Sequence, residues 1–148
     1  MRFSMIAFLM ACSGGADSDS DAEDVTVDGL ESEASPSKRS EILAGPHEGT
    51  NSILIFGGND GPIVNQIPSA SFLGDTWVFE PGTGWTEIDG DDHPKKRGRY
   101  ALSVDEDGDR AFFFGGRFRK AGTTGDYEIF NDLWSFDYIS RTWSELDA

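Results

Sequence analysis

Cysteine occurs once in this chain, at Cys12, and histidine only twice, at His47 and His93. A single thiol excludes a disulfide framework and a thiolate metal site. Neither histidine has a partner at helical i, i+4 spacing or a carboxylate at ligand spacing, so a zinc centre is excluded too. No metal and no cofactor is expected, and both histidines, beside Pro46 and Pro94, are expected in exposed turns. Positive charge is also scarce: 12 Lys and Arg stand against 27 Asp and Glu, a net charge of −15. Nucleic acid, which demands a basic footprint, is therefore a poor partner. So is an anionic lipid surface approached by charge alone. The apolar run Phe3 to Met10 is eight residues, too short to span a bilayer.

What the chain does have is an internal repeat. Ile53-Leu54-Ile55-Phe56-Gly57-Gly58 is followed by Asp75-Thr76-Trp77-Val78-Phe79 and then Trp85. Phe112-Phe113-Phe114-Gly115-Gly116 is followed by Asp132-Leu133-Trp134-Ser135-Phe136 and then Trp143. The offsets are 58 for Gly57 to Gly115, 57 for Trp77 to Trp134 and 58 for Trp85 to Trp143. Pro36, Lys38 and Arg39 match Pro94, Lys96 and Arg97 at the same spacing. A fixed period of this kind marks a repeat architecture.

Each unit reads as β. The apolar runs are short, β-branched or aromatic, and bounded by turn formers. Trp77 and Phe79, like Trp134 and Phe136, are two apart and so share a strand face. Asp107-Gly108 and Pro81-Gly82-Thr83-Gly84 supply hairpin turns. The second unit parses as strands over about 97–104, 110–114, 132–137 and 142–146, and the first follows at the offset.

A four-stranded unit with Gly-Gly closing strand two, Asn131 to Asp137 as strand three and Trp143 opening strand four resembles the kelch repeat. The resemblance covers 36–148, as repeat 1 over 36–93 and repeat 2 over 94–148. It implies an all-β fold of kelch-type β-propeller blades, in which about four to eight blades surround a channel. Gly57, Gly58, Asp75, Trp77, Trp85, Gly115, Gly116, Asp132, Trp134 and Trp143 are then residues that build the fold. The first repeat departs from the pattern in strand one, where Ile42-Leu43-Ala44-Gly45 stands against Tyr100-Ala101-Leu102-Ser103.

Two blades do not close a ring. A buried aromatic side chain removes ~150–250 Å² from water, worth roughly 4–6 kcal/mol at ~25 cal/mol per Å². Several left on two open faces outweigh the ~5–15 kcal/mol net stability of a domain. The expectation is an incomplete propeller: a fragment of a larger one, which is preferred, or a chain that self-associates to complete one.

Upstream, Arg2 and the apolar run precede Leu9-Met10-Ala11-Cys12, which resembles the bacterial lipobox. That implies a signal peptide over 1–11, lipidation of Cys12, and an exported protein held at a bacterial outer membrane or cell surface only through its lipid. Residues 13–35 hold eight acids and no Lys, Arg or aromatic residue, so 12–35 reads as a disordered acidic linker. Asp17-x-Asp19-x-Asp21 does not continue into a calcium loop, because Ala22 and Asp28 stand where Gly and Glu are wanted.

No catalytic constellation is evident. Asp91, Asp92, Asp105, Glu106, Asp107 and Asp109 fall in turns, where solvated acids belong. The expected function is non-catalytic protein or glycan binding. Kelch propellers include copper oxidases and sugar mutarotases, so an envelope carbohydrate-active enzyme with its catalytic residues in further blades is the alternative. The oxidase type requires a cysteine-modified tyrosine, and Cys12 lies in the leader region. In a four-stranded antiparallel blade, insertions 59–74 and 117–131 and the connection 89–96 share one face. Long loops on a rigid scaffold commonly carry recognition. Lys95, Lys96, Arg97, Arg117, Arg119 and Lys120 gather there as a candidate binding face for a protein or an acidic glycan. The competing explanation is that they balance Asp91, Asp92 and Asp126.

Overall fold

Aromatic and β-branched residues alternating with polar ones build strands wherever a turn former ends the run. The computed structural model describes residues 34–120 and 122–147. Its strands in chain order are β1 (Ala44–His47), β2 (Ser52–Asn59), β3 (Ile63–Val64), β4 (Ile67–Pro68), β5 (Phe72–Glu80) and β6 (Gly84–Ile88). Then come β7 (Ala101–Val104), β8 (Arg110–Phe114), β9 (Arg117–Phe118), β10 (Glu128–Ile129), β11 (Leu133–Asp137) and β12 (Thr142–Leu146). Among the described residues there is no helix, so the fold is all-β.

Two four-stranded antiparallel sheets form the body, ordered β1-β2-β5-β6 and β7-β8-β11-β12. Their registers coincide across the repeat. Ala44, Ile55, Trp77 and Glu87 lie side by side in the first sheet, as Leu102, Phe113, Trp134 and Glu145 do in the second. The core lies between the sheets. Leu54, Phe56 and Val78 of the first meet Phe113, Phe136 and Trp143 of the second. Phe56 stands edge-on to Phe113 and Trp143, with ring centroids 5.3 and 5.4 Å away, the arrangement aromatic quadrupoles favour.

Three buried hydrogen bonds cross the same junction. The Tyr100 hydroxyl donates to Phe56 O at 2.7 Å, and the Tyr138 hydroxyl to Gly45 O at 2.7 Å. Trp143 Nε1 donates to Thr76 Oγ1 at 2.9 Å. Burial pushes the Tyr100 hydroxyl up to about 12, so it stays a donor throughout the working pH range.

A clamp fixes the start of each repeat. Arg97, with 0 % exposure, donates from Nη1 and Nη2 to the two carboxylate oxygens of Asp132, and from Nη1 to Gly115 O at 2.9 Å. Its Nε donates to Lys95 O, and Trp134 Nε1 donates to Asp132 Oδ2 at 2.9 Å. Arg39 repeats every element: Nη1 and Nη2 to Asp75 at 2.7 and 2.8 Å, Nη1 to Gly57 O, Nε to Ser37 O, and Trp77 Nε1 to Asp75 Oδ2. Bidentate, charge-assisted pairs are the strong class of hydrogen bond.

Four expectations change. The first strand of the second repeat begins at Ala101 rather than near residue 97, because the Arg97 clamp and the positive φ of Arg99 (57°) keep the lead-in out of the sheet. The 59–74 and 117–131 insertions carry the hairpins β3–β4 and β9–β10 rather than plain loop. His47 is buried on β1, accepting from Thr50 N–H at Nδ1 and standing edge-on to Tyr138, because its turn folds under the second sheet. Arg97 belongs to the clamp and not to an exposed face.

Burial alone would raise the Asp75 and Asp132 carboxyls, but hydrogen bonds from Arg39 and Trp77, and from Arg97 and Trp134, hold both below the ordinary 3.8. Since the folded carboxyls titrate lower than the unfolded ones, their contribution is complete above the unfolded value and lost as pH falls toward the folded one. Denaturant midpoints should therefore fall as pH drops below about 4. Asp132→Ala, which strands the Arg97 charge in the interior, should cost about 3–5 kcal/mol at neutral pH. A midpoint unmoved in both measurements would show that the clamp does not hold the fold.

Candidate functional site

Antiparallel strand order sends the two insertions off the same end of their sheets. The backbone joins them there: Ala70 N–H donates to Gly122 O at 2.8 Å. Phe72, buried at the base of one insertion, meets Phe118 and Tyr127 of the other at 5.9 and 6.5 Å between ring centroids. Asn59 braces the first insertion, its Oδ1 accepting from Gly61 N–H and Ser71 N–H. The short turns near Glu80–Gly84 and Asp105–Asp109 lie at the opposite end.

The six basic residues separate into two groups. Lys95, Lys96 and Lys120 are exposed. Lys95 reaches Glu128 only at 3.9 Å, and Lys96 Nζ lies 5.5 Å from the Phe118 ring centroid. A hollow of about 210 Å³ opens between Lys95, Lys96, Phe118, Glu128 and Phe130. It offers apolar ring surface under two ammonium groups, a combination suited to an anionic group carried on an apolar or sugar-like body.

Arg97, Arg117 and Arg119 are largely occupied inside the protein. Arg97 closes its clamp. Arg117 lies 4.0 Å and Arg119 4.7 Å from the centroid of the Tyr127 ring, and Arg119 also donates to Gly122 O at 2.8 Å. Glu41, its side chain 7 % exposed, takes Arg99 at 3.2 Å and Arg117 at 3.3 Å. The charge partners are thus Glu41, Glu128 and Asp132, whereas the sequence pointed to Asp91, Asp92 and Asp126. Arginines hold the loops together, and lysines face the solvent.

Asp89, Asp91, Asp92 and His93 line a separate crevice of about 200 Å³ with Arg141 and Trp143. Arg141 is tied to Glu80 at 2.7 Å, so it leaves those acids to solvent. Among the described residues no three His, Cys, Asp or Glu side chains converge as metal ligands. Cys12 lies outside the described residues, as do the signal peptide expected over 1–11 and the part of the expected linker before residue 34. No family model matches the chain, and no curated protein matches it.

Glu41 and Tyr127 were not singled out from the sequence, although both organise the loop cluster. Repeat phase was the available signal for Arg97. It stands 58 residues after Arg39, in step with the Gly and Trp positions assigned to the fold.

Tyr127→Ala removes the ring shared by two guanidiniums, each contact worth about 0.5–2 kcal/mol. Amide exchange in 117–129 should accelerate at least several-fold while β8 and β11 stay protected, and Tyr127→Phe should behave as wild type. Unchanged exchange in the alanine variant would mean that the ring does not hold the loop.

Proposed function

We propose that the chain is a pair of kelch-type propeller blades serving as a non-catalytic binding module at a bacterial envelope. In this reading residues 1–11 direct export, a lipid on Cys12 anchors the protein, and an acidic linker extends to the two-sheet body. The loop end of the sheets captures a protein or an acidic glycan. The observation that carries the reading is the joining of two long insertions into one surface. There a rigid scaffold positions Lys95 and Lys96 beside the half-buried rings of Phe118 and Phe130, with Lys120 exposed on the second insertion, on an otherwise acidic protein. Recurrence of strand order, register and clamp in both sheets supports the blade assignment.

The ligand has negative charge in either case, and an immobilised acidic polysaccharide is a direct probe. Lys95→Glu, Lys96→Glu and Lys120→Glu combined should weaken its capture about tenfold or more, three rim charges each contributing roughly 0.2–1 kcal/mol before reversal. The salt dependence should flatten as well. Asp105→Asn with Asp107→Asn, at the opposite end, should leave capture unchanged. Equal losses from both sets would place recognition elsewhere.

For the anchor, wild type should partition into detergent and exceed the mass of the 12–148 peptide by its acyl chains. Cys12→Ser should be released as soluble protein. A wild-type product that is soluble and unacylated would overturn the envelope assignment.

A further inference from the structure

The junction inside the chain is a template for contacts outside it, because each sheet turns outward the counterpart of the face that its neighbour buries. On the second sheet Phe112, Phe114 and Leu133 hold the positions of Leu54, Phe56 and Thr76, which lie in the junction. Phe114 is 50 % exposed there, and Phe112 and Leu133 are half-buried. On the first sheet Ile53 and Phe79 hold the positions of Ala111 and Phe136, and both are half-buried on the opposite outer face.

A backbone slot repeats with them. Within the chain, Arg97 N–H donates to Leu73 O at 3.1 Å, and Arg97 O accepts from Gly58 N–H at 2.9 Å. Gly57 makes this approach possible, since a Cβ there would lie 2.7 Å from Arg97 O. Gly115 and Gly116 keep the same left-handed backbone, with φ of 66° and 103° against 55° and 98°. At Gly115, however, a Cβ would meet only Phe130 O among the described residues, at 3.1 Å. Among the described residues the slot is formed and stands open. The Arg39 segment, held by Asp75 in a clamp equivalent to that of Arg97, is the one whose shape matches it.

Charge agrees. Glu41 and Arg99 occupy equivalent positions, both at positive φ, and pair with each other across the junction, while the Arg99 side chain remains 57 % exposed. A second copy would bring its Glu41 to Arg99 and so join opposite charges again.

We propose that a second copy of the chain docks head to tail, its Arg39 segment in the Gly115–Gly116 slot and its Ile53–Phe79 face on the Phe112–Phe114–Leu133 face. Such a contact is heterologous, so further copies extend it until the ring closes or a filament grows. Ile42 stands where Tyr100 does, Leu133 where Thr76 does and Pro81 where Tyr138 does. The contact between copies therefore lacks all three of the side-chain hydrogen bonds that seal the internal junction, and it is the one that dilution breaks. It rests on the observed junction and not on the loop-face reading. Its salt response is also opposite: apolar association between chains of net charge −15 strengthens with salt, whereas capture of an anion by lysines weakens.

The test is sedimentation velocity on the full chain carrying Cys12→Ser, so that no acyl group contributes, over about two decades of concentration around 10 µM. Average mass should rise with concentration beyond a dimer, and rise further with salt. Phe114→Glu and Ile53→Glu should each weaken association at least tenfold. Their mixture should form dimers and nothing larger, because each variant retains the one face that the other lacks. If either loses its β circular dichroism, Phe114→Ser and Ile53→Ser take its place. A parent chain that stays monomeric, variants that assemble like the parent, or a mixture that stays monomeric would each overturn the proposal.

Discussion

A buried guanidinium gripped by an aspartate is the contact on which the two-sheet body depends. Arg97 contributes no exposed surface, and all three of its side-chain nitrogens donate to groups that fix chain direction: Asp132 at the start of β11, Gly115 O at the end of β8, and Lys95 O within its own segment. Three stretches distant in sequence are tied at one point. Only there does β8 end in left-handed glycines and β11 begin in register beside it. The interior cannot dispense with either partner, since a lone charge in that place costs several kcal/mol. The indole of Trp134, donating to the same carboxylate, then fixes the ring over β11.

Because Arg39, Asp75 and Trp77 build the same clamp, each sheet begins in the same geometry, and the junction between sheets follows from it. The Arg97 segment leaves its backbone against Gly58 and Leu73 of the preceding repeat while its side chain serves its own. One short lead-in thereby couples two sheets. The hydroxyls of Tyr100 and Tyr138 and the indole of Trp143 add direction to what is otherwise an aromatic contact able to slide.

Much of this was legible in the sequence, and the reason is periodicity. Two copies of one pattern allow each residue to be checked against its counterpart, which separates the strands of the body and their turns from accidents of composition. Local signals failed where a tertiary contact outweighs them. Arg97 lies among Lys95, Lys96 and His93 and reads as one more solvated base, although its pairing with a carboxylate 35 residues away buries it completely. His47 beside Pro46 reads as an exposed turn, yet a tyrosine 91 positions on closes over it. The small hairpins at 63–68 and 117–129 escape because two-residue strands carry no period. Glu41 was hidden by the same difficulty, its two arginine partners lying 58 and 76 positions ahead.

Division of labour among the bases follows from the same physics. A guanidinium is planar, weakly hydrated and able to bind in two directions at once, so it tolerates burial against a carboxylate or a ring. An ammonium holds its water and stays outside. Arg39, Arg97, Arg117 and Arg119 accordingly stitch the clamps and the loop cluster, and Lys95, Lys96 and Lys120 remain at the rim. An arginine cluster read from sequence thus points to a brace within this fold, and the lysines around it mark the surface that remains free to meet another molecule. Among the described residues the Gly115 slot is free for the opposite reason: it has the shape of the slot that the first sheet fills, and its chemistry is backbone and aromatic surface, with no ammonium group to offer. The loop end answers chiefly to charge and the outer sheet faces chiefly to apolar fit, and Phe130 lies where the two adjoin.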